Sequence, residues 1–292
     1  MKLRLLLVTI IIGFGISLVQ AQEGPRLIVR GDDMGYSHSG NMALIESSIN
    51  GIQTSIEVIV PSPWFPEAVK LLNDNPDIDV GIHLAITSEW DNVKWRPLTW
   101  VPSLVDEDGY FFPMSFPNEN YPGLSVQEND WKIDEIEQEL RAQIELAKKK
   151  IPGISHVSAH MGFTWIDPSI KELTNKLATE YGINIDLDEM GVEYVSYKDL
   201  EWQESIKASL ETKQDAFIGM LRALEPGKTY MFLDHPGYDN AELRAISHLG
   251  YETVAIDRQG VTDVFTSPTV KSVIEELGIK LISYRDLVKT SK

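Results

Sequence analysis

The sequence has no cysteine among its 292 residues. Disulfide cross-links and thiolate chemistry are therefore excluded, and any metal site must be built from His, Asp and Glu side chains. Such oxygen and nitrogen donors suit zinc, magnesium, manganese or cobalt. Without cysteine, any catalytic or metal-binding group must come from other side chains, and carboxylates are the most abundant of these.

Basic side chains are also scarce, with 26 Lys and Arg against 44 Asp and Glu, which gives a net charge of −18. Two of the basic residues lie near the amino terminus, and without them 24 basic and 44 acidic side chains leave a net charge of −20. An acidic surface repels phosphate backbones, so nucleic acid and anionic membrane partners are not expected. A neutral or cationic small-molecule substrate fits this charge better.

Long hydrophobic runs are confined to the amino terminus. Lys2 and Arg4 precede the apolar run Leu5–Val19, which a small-residue cleavage site follows. This pattern predicts a signal peptide over residues 1–21, with the mature chain starting at 22 and exported to the periplasm or beyond. A membrane anchor is the alternative, although the run is short for a spanning helix. No later stretch could span a bilayer, so no stable membrane insertion is expected after cleavage.

Short apolar runs alternate with amphipathic stretches over the rest of the chain. Predicted strands are Arg26–Arg30, Thr54–Val60, Asp79–Ile86, Ile154–Ala159, Ile183–Leu187, Thr229–Leu233 and Lys280–Ser283. Predicted helices are Ser39–Asn50, Pro66–Asn73, Trp131–Lys149, Pro168–Tyr181, Lys213–Leu224, Ala241–Leu249 and Pro268–Leu277. This alternation predicts an α/β fold with parallel strands and crossover helices, in a barrel or a doubly wound sheet.

Residues 22–292 are expected to form a single domain, because no repeat or low-complexity linker divides them. Two long insertions, Thr87–Asp130 and Asp188–Glu211, interrupt the alternation. Long loops inside a compact domain are usually functional or disordered. The first insertion carries three tryptophans, which favours an ordered structure.

Polar residues capable of chemistry follow several predicted strands. Asp32 and Asp33 end the first, His83 lies near the end of the third, His160 follows the fourth and His235 follows the sixth. The carboxyl ends of parallel strands meet at one edge, where ligands bind in such folds. These five side chains are therefore expected to meet, although Asp could instead cap a helix and His83 could be a core residue.

The segment HVSAH offers two interpretations, because His156 and His160 are four residues apart. On a helix both rings could bind one ion, whereas on a strand four residues span about 13 Å and they could not. The β-branched Val157 favours a strand that ends near His160. We therefore predict that His160 is a metal ligand and that His156 has a structural or supporting role.

Two histidines and one carboxylate leave open coordination positions on a divalent ion, as in catalytic metal sites. Asp33 would bind the ion while Asp32 stays free to take a proton from a bound water, and the ion's charge would offset the repulsion between the two carboxylates. His235 precedes the turn Pro236-Gly237-Tyr238 and could act as an acid or base near neutral pH.

Several of these segments resemble the YdjC-like carbohydrate deacetylases, a family that includes chitooligosaccharide and hopanoid-pathway deacetylases. The matching segments are LIVRGDDMG, NMALIESSINGIQTSIEVIV, DVGIHLAIT, KWRPL followed by PSLVDEDGYFF, HVSAHMG, FLDHPGY, and ELRAISHLGYETVAIDRQGVTDV with LGIKLISYRDL. Together they extend over almost the whole chain after the leader. The resemblance implies a deformed (β/α) TIM-like barrel that hydrolyses an acetamido group on a sugar.

The resemblance also assigns roles to the candidate residues. It implies one divalent ion, Mg or Zn, on Asp33, His83 and His160, with Asp32 as the base and His235 as a second catalytic residue. An oligosaccharide or smaller sugar would be the substrate, with acetate and an amino sugar as products. A homodimer is a further expectation.

The sequence departs from the family pattern at two places. Ser158-Ala159-His160-Met161-Gly162 lacks the Asp and extra His of the DSHQH-type family sequence, and Arg30-Gly31 displaces the small residue that usually precedes the two aspartates. The secretory leader is a further difference from the cytoplasmic members. Because of these departures, the substrate and the preferred metal of the family do not transfer directly to this sequence.

The candidates for substrate contacts are aromatic residues and one arginine. Candidates for stacking on sugar rings are Trp90, Trp95, Trp100 and Trp165, for which core packing is the alternative role. Arg258 is expected to reach the site and orient Asp32. Two other functions compete with the deacetylase: a metal-dependent hydrolase of a glycosidic or phosphoester bond, and a non-catalytic sugar-binding protein.

Overall fold

The computed structural model of the protein describes residues 23–289. The predicted signal peptide lies outside these residues. Seven strands run through the described part of the chain: β1 (Arg26–Met34), β2 (Ser55–Val58), β3 (Asp79–Leu84), β4 (Ile154–Ala159), β5 (Glu193–Tyr194), β6 (Thr229–Asp234) and β7 (Lys280–Leu281).

Helices fill the connections between the strands. They are α1 (His38–Ile49), α2 (Phe65–Asp74), α3 (Ile133–Lys150), α4 (Pro168–Glu180), α5 (Trp202–Ser205), α6 (Leu210–Leu221), α7 (Val254–Thr266), α8 (Pro268–Glu276) and α9 (Tyr284–Lys289). Within residues 23–289, no helix combines the length and the apolar character needed to cross a membrane.

All strand pairs are parallel, in the order β4-β3-β2-β1-β6-β5, and β7 pairs with the start of β1 beside β2. Between residues 23 and 289, the two outer strands β4 and β5 do not pair with each other. The sheet is therefore a curled, incomplete barrel covered by helices. The prediction of a single-domain α/β fold of the deformed (β/α) barrel type is confirmed.

Local sequence signals explain where the helices begin. The Ser37 hydroxyl accepts a hydrogen bond from the Gly40 amide at the start of α1, and Asp167 caps α4 immediately before Pro168. Side-chain oxygens at this position satisfy amides that have no partner inside the helix, and Pro fits the first turn because it has no N–H to lose. β1 has a different requirement: it is covered on both faces, so its first half is a continuous apolar run.

Two main hydrophobic clusters hold the helices against the sheet. The larger packs residues of α1 to α4 against β2 and β3, for example Leu44, Ile82 and Leu140. The second joins α6, α7 and α8 to β1 and β6, with Phe217 and Phe232 in edge-to-face contact, 4.9 Å between ring centroids. Both clusters pack helices against strands and so hold the sheet in place.

The predicted strand Ile183–Leu187 is wrong. Residues 183–186 are coil and a turn starts at Leu187, while the short strand β5 comes later, at Glu193–Tyr194. The Asp186 side chain accepts hydrogen bonds from the amides of the second and third residues after it, which closes a turn. Ile183 and Leu187 are buried, so this segment is a loop that lies on the core.

The predicted helix Ala241–Leu249 is also wrong, because only a 3-10 turn forms there, at Leu243–Ala245. Conversely, the sequence analysis missed α7, which runs from Val254 to Thr266 and carries Arg258. Its polar residues are buried against the site, so its apolar pattern is interrupted on the face that a helix normally buries. The missed helix supplies one of the site's two buried arginines.

The first insertion is ordered, as its tryptophans indicated. It contains 3-10 turns at Pro102–Leu104 and Val126–Glu128, and both Trp90 and Trp95 are buried. Trp100, by contrast, is 83% exposed. The insertion therefore packs onto the barrel by two of its three indole rings.

Candidate active site

The two consecutive aspartates lie at a bulge in β1. The pairing with β2 shifts between Gly31 and Met34: three residues of β1 advance the register while β2 advances by two. Asp33 has φ 71°, in the left-handed region that residues other than glycine rarely adopt. Consecutive strand residues normally point to opposite faces. The bulge changes this, so that both carboxylates come within 4 Å of the same His83 ring nitrogen.

Asp33 is surrounded by nitrogen-bearing groups. Its Oδ1 lies 3.2 Å from Nδ1 of His160 and 3.5 Å from Nε2 of His83. Its Oδ2 accepts a 2.9 Å hydrogen bond from Arg258 and lies 3.8 Å from Nε2 of His235. Burial raises the pKa of Asp33, but His235, His160 and Arg258 outweigh it and hold that pKa well below its usual value. Asp33 is therefore a buried carboxylate anion.

Asp33, His83 and His160 fit the requirements of a divalent cation. One donor atom from each of the three buried residues lies within 4.8 Å of the others. Oδ1 of Asp33 is buried without a hydrogen-bond partner, which is costly unless another group satisfies it. Two imidazoles and one carboxylate are donors that zinc and similar ions accept. The structure thus brings together the three residues that the sequence proposed as metal ligands.

The second carboxylate, Asp32, pairs with a different arginine from the one that the sequence predicted. Arg258 was expected to orient it, but Arg258 contacts Asp33. Asp32 instead accepts two parallel hydrogen bonds from Arg30, Nε to Oδ1 at 2.7 Å and Nη2 to Oδ2 at 2.8 Å. Arg30 also donates to the Tyr284 hydroxyl at 3.1 Å. This fork fixes the orientation of the Asp32 carboxylate at the cleft floor.

His235 faces Asp33 from the β6 side. Its Nδ1 lies 3.4 Å from Oδ1 of Asp234, whose other oxygen accepts a 2.8 Å hydrogen bond from the Tyr197 hydroxyl. Burial lowers the pKa of His235, but Asp33 and Asp234 raise it by more, so the net shift is upward. The protonated imidazolium therefore persists to a higher pH than in free histidine.

The two histidines of the candidate metal site differ in the direction of their pKa shifts. Burial lowers the pKa of His83 to about 4. Burial also lowers the pKa of His160, but Glu89 and Asp33 raise it to about 10. Oε2 of Glu89 lies 2.9 Å from Nε2 of His160. The surroundings of His160 therefore attract positive charge, which either a proton or a metal cation can supply.

His156 does not reach Asp33, in keeping with its predicted structural or supporting role. Its Nε2 lies 2.5 Å from Oε1 of Glu57, and its ring stacks on Tyr284 with centroids 3.4 Å apart. Burial raises the pKa of Glu57, but His156 and Arg30 outweigh it and lower the pKa to about 2. Glu57 is thus a second buried carboxylate anion.

A cleft of about 1410 Å³ opens above these residues. Ten residues were predicted for the site, and all but Trp95 and Trp100 line the cleft: Asp32, Asp33, His83, Trp90, His160, Trp165, His235 and Arg258. Trp165 is 72% exposed and can meet a ligand, whereas Trp90 is buried in the wall. The expected substrate contact by Trp95 is wrong, since this residue is buried outside the lining and packs towards His160.

Four residues at or behind the cleft had not been assigned a role from the sequence. Glu57 could have been noticed as a lone charge inside the apolar strand SIEVIV, and Arg30 as the departure before the aspartates. Glu89 and Tyr197 lie in insertions and carry no local signal. Their partners are His160, 71 residues further on, and Asp234, 37 residues further on.

Fold and site together define a class of protein: a parallel α/β barrel with a candidate divalent-metal site at the carboxyl ends of its strands. The chain matches the model of the YdjC-like protein family over residues 26–276. It therefore belongs to the YdjC-like family, as its motifs indicated.

Relatives extend over nearly the whole chain. A carbohydrate deacetylase of Listeria welshimeri is 30% identical over 277 residues, covering 90% of this chain and 100% of that protein. A carbohydrate deacetylase of Geobacillus stearothermophilus is 29% identical, covering 90% and 98%. A crystal structure from Enterococcus faecalis, described as a cellobiose-phosphate cleavage protein, is 25% identical with a TM-score of 0.71, covering 91% and 99%.

Proposed function

We propose that this protein is a metal-dependent carbohydrate deacetylase, which hydrolyses the amide of an N-acetylated sugar to acetate and an amino sugar. The observation that carries the proposal is the Asp33, His83 and His160 cluster, with Asp32 and His235 beside it on one cleft floor. The relatives named carbohydrate deacetylase support the same reaction.

Asp33, His83 and His160 would hold the divalent ion, zinc or magnesium. When bound, such an ion polarises the acyl oxygen and makes water more acidic. Asp32 takes the proton from the attacking water as the water oxygen bonds to the acyl carbon. The fork from Arg30 keeps the Asp32 carboxylate oriented for this transfer.

His235 gives its proton to the amine nitrogen as the carbon–nitrogen bond breaks, so the amino sugar leaves as a neutral amine. The raised pKa of His235 keeps the ring protonated for this step. Its side chain is 30% exposed, so it can meet a substrate in the cleft. Asp32 and His235 thus divide proton removal and proton donation between them.

The sugar is expected to stack on Trp165, the exposed indole of the cleft lining. Trp90 supports the floor instead, because Arg258 lies 5.1 Å from the centroid of its ring. The acidic surface of the chain also favours a neutral or cationic saccharide over an anionic one.

The deciding experiment is acetate release from a panel of N-acetylated mono- and oligosaccharides. Protein stripped by a chelator is reloaded in turn with zinc, magnesium, manganese or cobalt. We expect acetate release only with a metal, and the best panel member names the sugar. Asp74→Asn is the matched control for the site variant Asp32→Asn, because Asp74 is exposed and pairs with Lys70 away from the cleft.

Three results would count against the proposal. Full turnover in the chelator-stripped protein would refute metal dependence. Release of a sugar or of phosphate without acetate would favour the other hydrolase. Sugar binding without any product would favour the binding protein.

We also propose that the protein is exported, on the strength of the basic start and apolar run in residues 1–21. Expression with and without these residues, followed by fractionation, tests this. Retention of the full-length protein in the cytoplasm at its original mass would refute export.

A further inference from the structure

We infer that two buried carboxylates, Glu57 and Glu89, act as positioning residues that fix which ring nitrogens bind the metal: Nε2 of His83 and Nδ1 of His160. The inference rests on the proposed metal-dependent function. Its test reads the coordinating atoms and not turnover, so the two can fail separately.

The orientation of His83 follows from a chain of hydrogen bonds. Glu57 is a carboxylate and can only accept, so the Ser158 hydroxyl donates to its Oε2. The Ser158 oxygen, 2.7 Å from Nδ1 of His83, must then accept the proton of that nitrogen. Nδ1 is therefore protonated and Nε2, which faces Asp33, keeps its lone pair.

The orientation of His160 follows from a direct contact. Oε2 of Glu89 lies 2.9 Å from Nε2 and can only accept, which places the proton on that nitrogen. Nδ1 of the same ring faces Oδ1 of Asp33 at 3.2 Å. The two rings thus present different nitrogens to one point beside Asp33. Carboxylates commonly fix metal-bound histidines in this way.

The backbone makes room for Glu57 inside the sheet. Glu57 pairs with Gly81, and Gly81 pairs with His156, so the three form one row across β2, β3 and β4. A Cβ on Gly81 would lie 2.4 Å from both Oε2 of Glu57 and Nε2 of His156. Glycine therefore lets the two side chains meet above it.

Glu57 is fully buried, and a carboxylate in such a place is costly unless it is paired and hydrogen-bonded. Its partners are His156 on one oxygen and Ser158 on the other. The Ser158 hydroxyl links it to the ring of His83. Holding that ring is thus a function that explains a charge inside the barrel.

The first test uses the full mature chain loaded with zinc and labelled with nitrogen-15 in its histidines. Two-bond proton–nitrogen spectra distinguish a ring bound through Nε2 from one bound through Nδ1, and His83→Ala assigns the signals. We expect His83 to bind through Nε2 and His160 through Nδ1. Zinc bound through the same nitrogen of both rings overturns the inference, while metal-dependent acetate release would leave the proposed function standing.

The second test compares zinc affinity by competition with a chelator. Ser158→Ala and Glu89→Gln are each expected to weaken zinc binding roughly 10–100-fold, the usual effect of removing such a partner. Ser155→Ala is the matched control, because this serine on the same strand contacts Asp79 and His156 but neither metal histidine. Its zinc affinity should stay near that of the wild type.

Melting temperatures separate lost positioning from lost folding. If Ser158→Ala does not fold, the zinc affinity of Glu89→Gln alone is compared with that of Ser155→Ala. Glu89 lies in a loop and not in the sheet, so its substitution disturbs the fold less. Equal zinc affinity in Glu89→Gln and Ser155→Ala overturns the inference, as does a chain that binds no zinc at all.

Discussion

The two sides of the cleft floor hold their histidines differently. On the side of the candidate metal site, the His83 and His160 side chains are each 4% exposed, and each ring has a hydrogen-bond partner on the nitrogen turned away from Asp33. On the other side, His235 is 30% exposed and its contact with Asp234 is longer, 3.4 Å. One side fixes its rings, and the other leaves a ring open to the cleft.

This difference matches what the proposed function requires of each side. A metal ligand works only if its lone pair points at the ion, so it gains from rings that cannot rotate. A proton donor must reach a substrate and release its proton, so it needs access and a suitable pKa. Asp33 belongs to both sides, since its Oδ1 faces His83 and His160 and its Oδ2 faces His235 and Arg258.

The largest effect is expected from Asp33→Ala, which removes the residue shared by both sides. Zinc affinity should fall by more than the roughly 100-fold that marks the loss of an outer partner, and acetate release should fall to background. Competition with a chelator and an acetate assay measure the two. Wild-type zinc affinity in this variant would show that the ion binds elsewhere.

Asp32→Asn should separate chemistry from metal binding. We expect kcat to fall roughly 10²–10⁴-fold, the usual effect of losing a general base, while zinc affinity stays near that of the wild type. Single-turnover acetate release together with chelator competition checks both values. If turnover survives intact, another group takes the proton and the mechanism must be revised.

Asp234→Asn should change the pH dependence on the open side. The pKa of His235 is raised, so activity that needs the imidazolium holds at low pH and is lost as pH rises through that pKa. Removing the Asp234 charge lowers that pKa, so the alkaline limb of kcat should move to lower pH. An unchanged limb would mean that Asp234 does not act on His235.

The smallest effect is expected from Tyr197→Phe, which removes one hydrogen bond to Asp234. A loss of about 1 kcal/mol predicts a decrease in kcat of roughly fivefold, with zinc affinity unaffected. Tyr110→Phe is a suitable control, because this residue stacks under Arg96 outside the cleft lining. A weakened zinc affinity in Tyr197→Phe would contradict the separation of the two sides.

The sequence by itself predicted a parallel α/β fold and the meeting of its candidate ligands, while the choice of a barrel over a doubly wound sheet came from the family resemblance. Strand ends carrying Asp33, His83, His160 and His235 must share one edge once the strands are parallel, because parallel pairing aligns their carboxyl ends. The same pattern predicted that His156, four residues before His160, would not reach the ion. The parallel fold and the meeting of these residues needed only the periodicity of the chain and the direction of its strands.

Tertiary structure alone decided which groups surround those residues. The bulge at Asp33 depends on the register between β1 and β2. Arg258 contacts Asp33 and not Asp32 as expected, Arg30 contacts Asp32 in its place, and Trp95 turns into the core. Arg30 meets Tyr284 across 254 residues. Contacts at such separations leave no local pattern, because they arise only when the barrel folds and brings its strands and loops together.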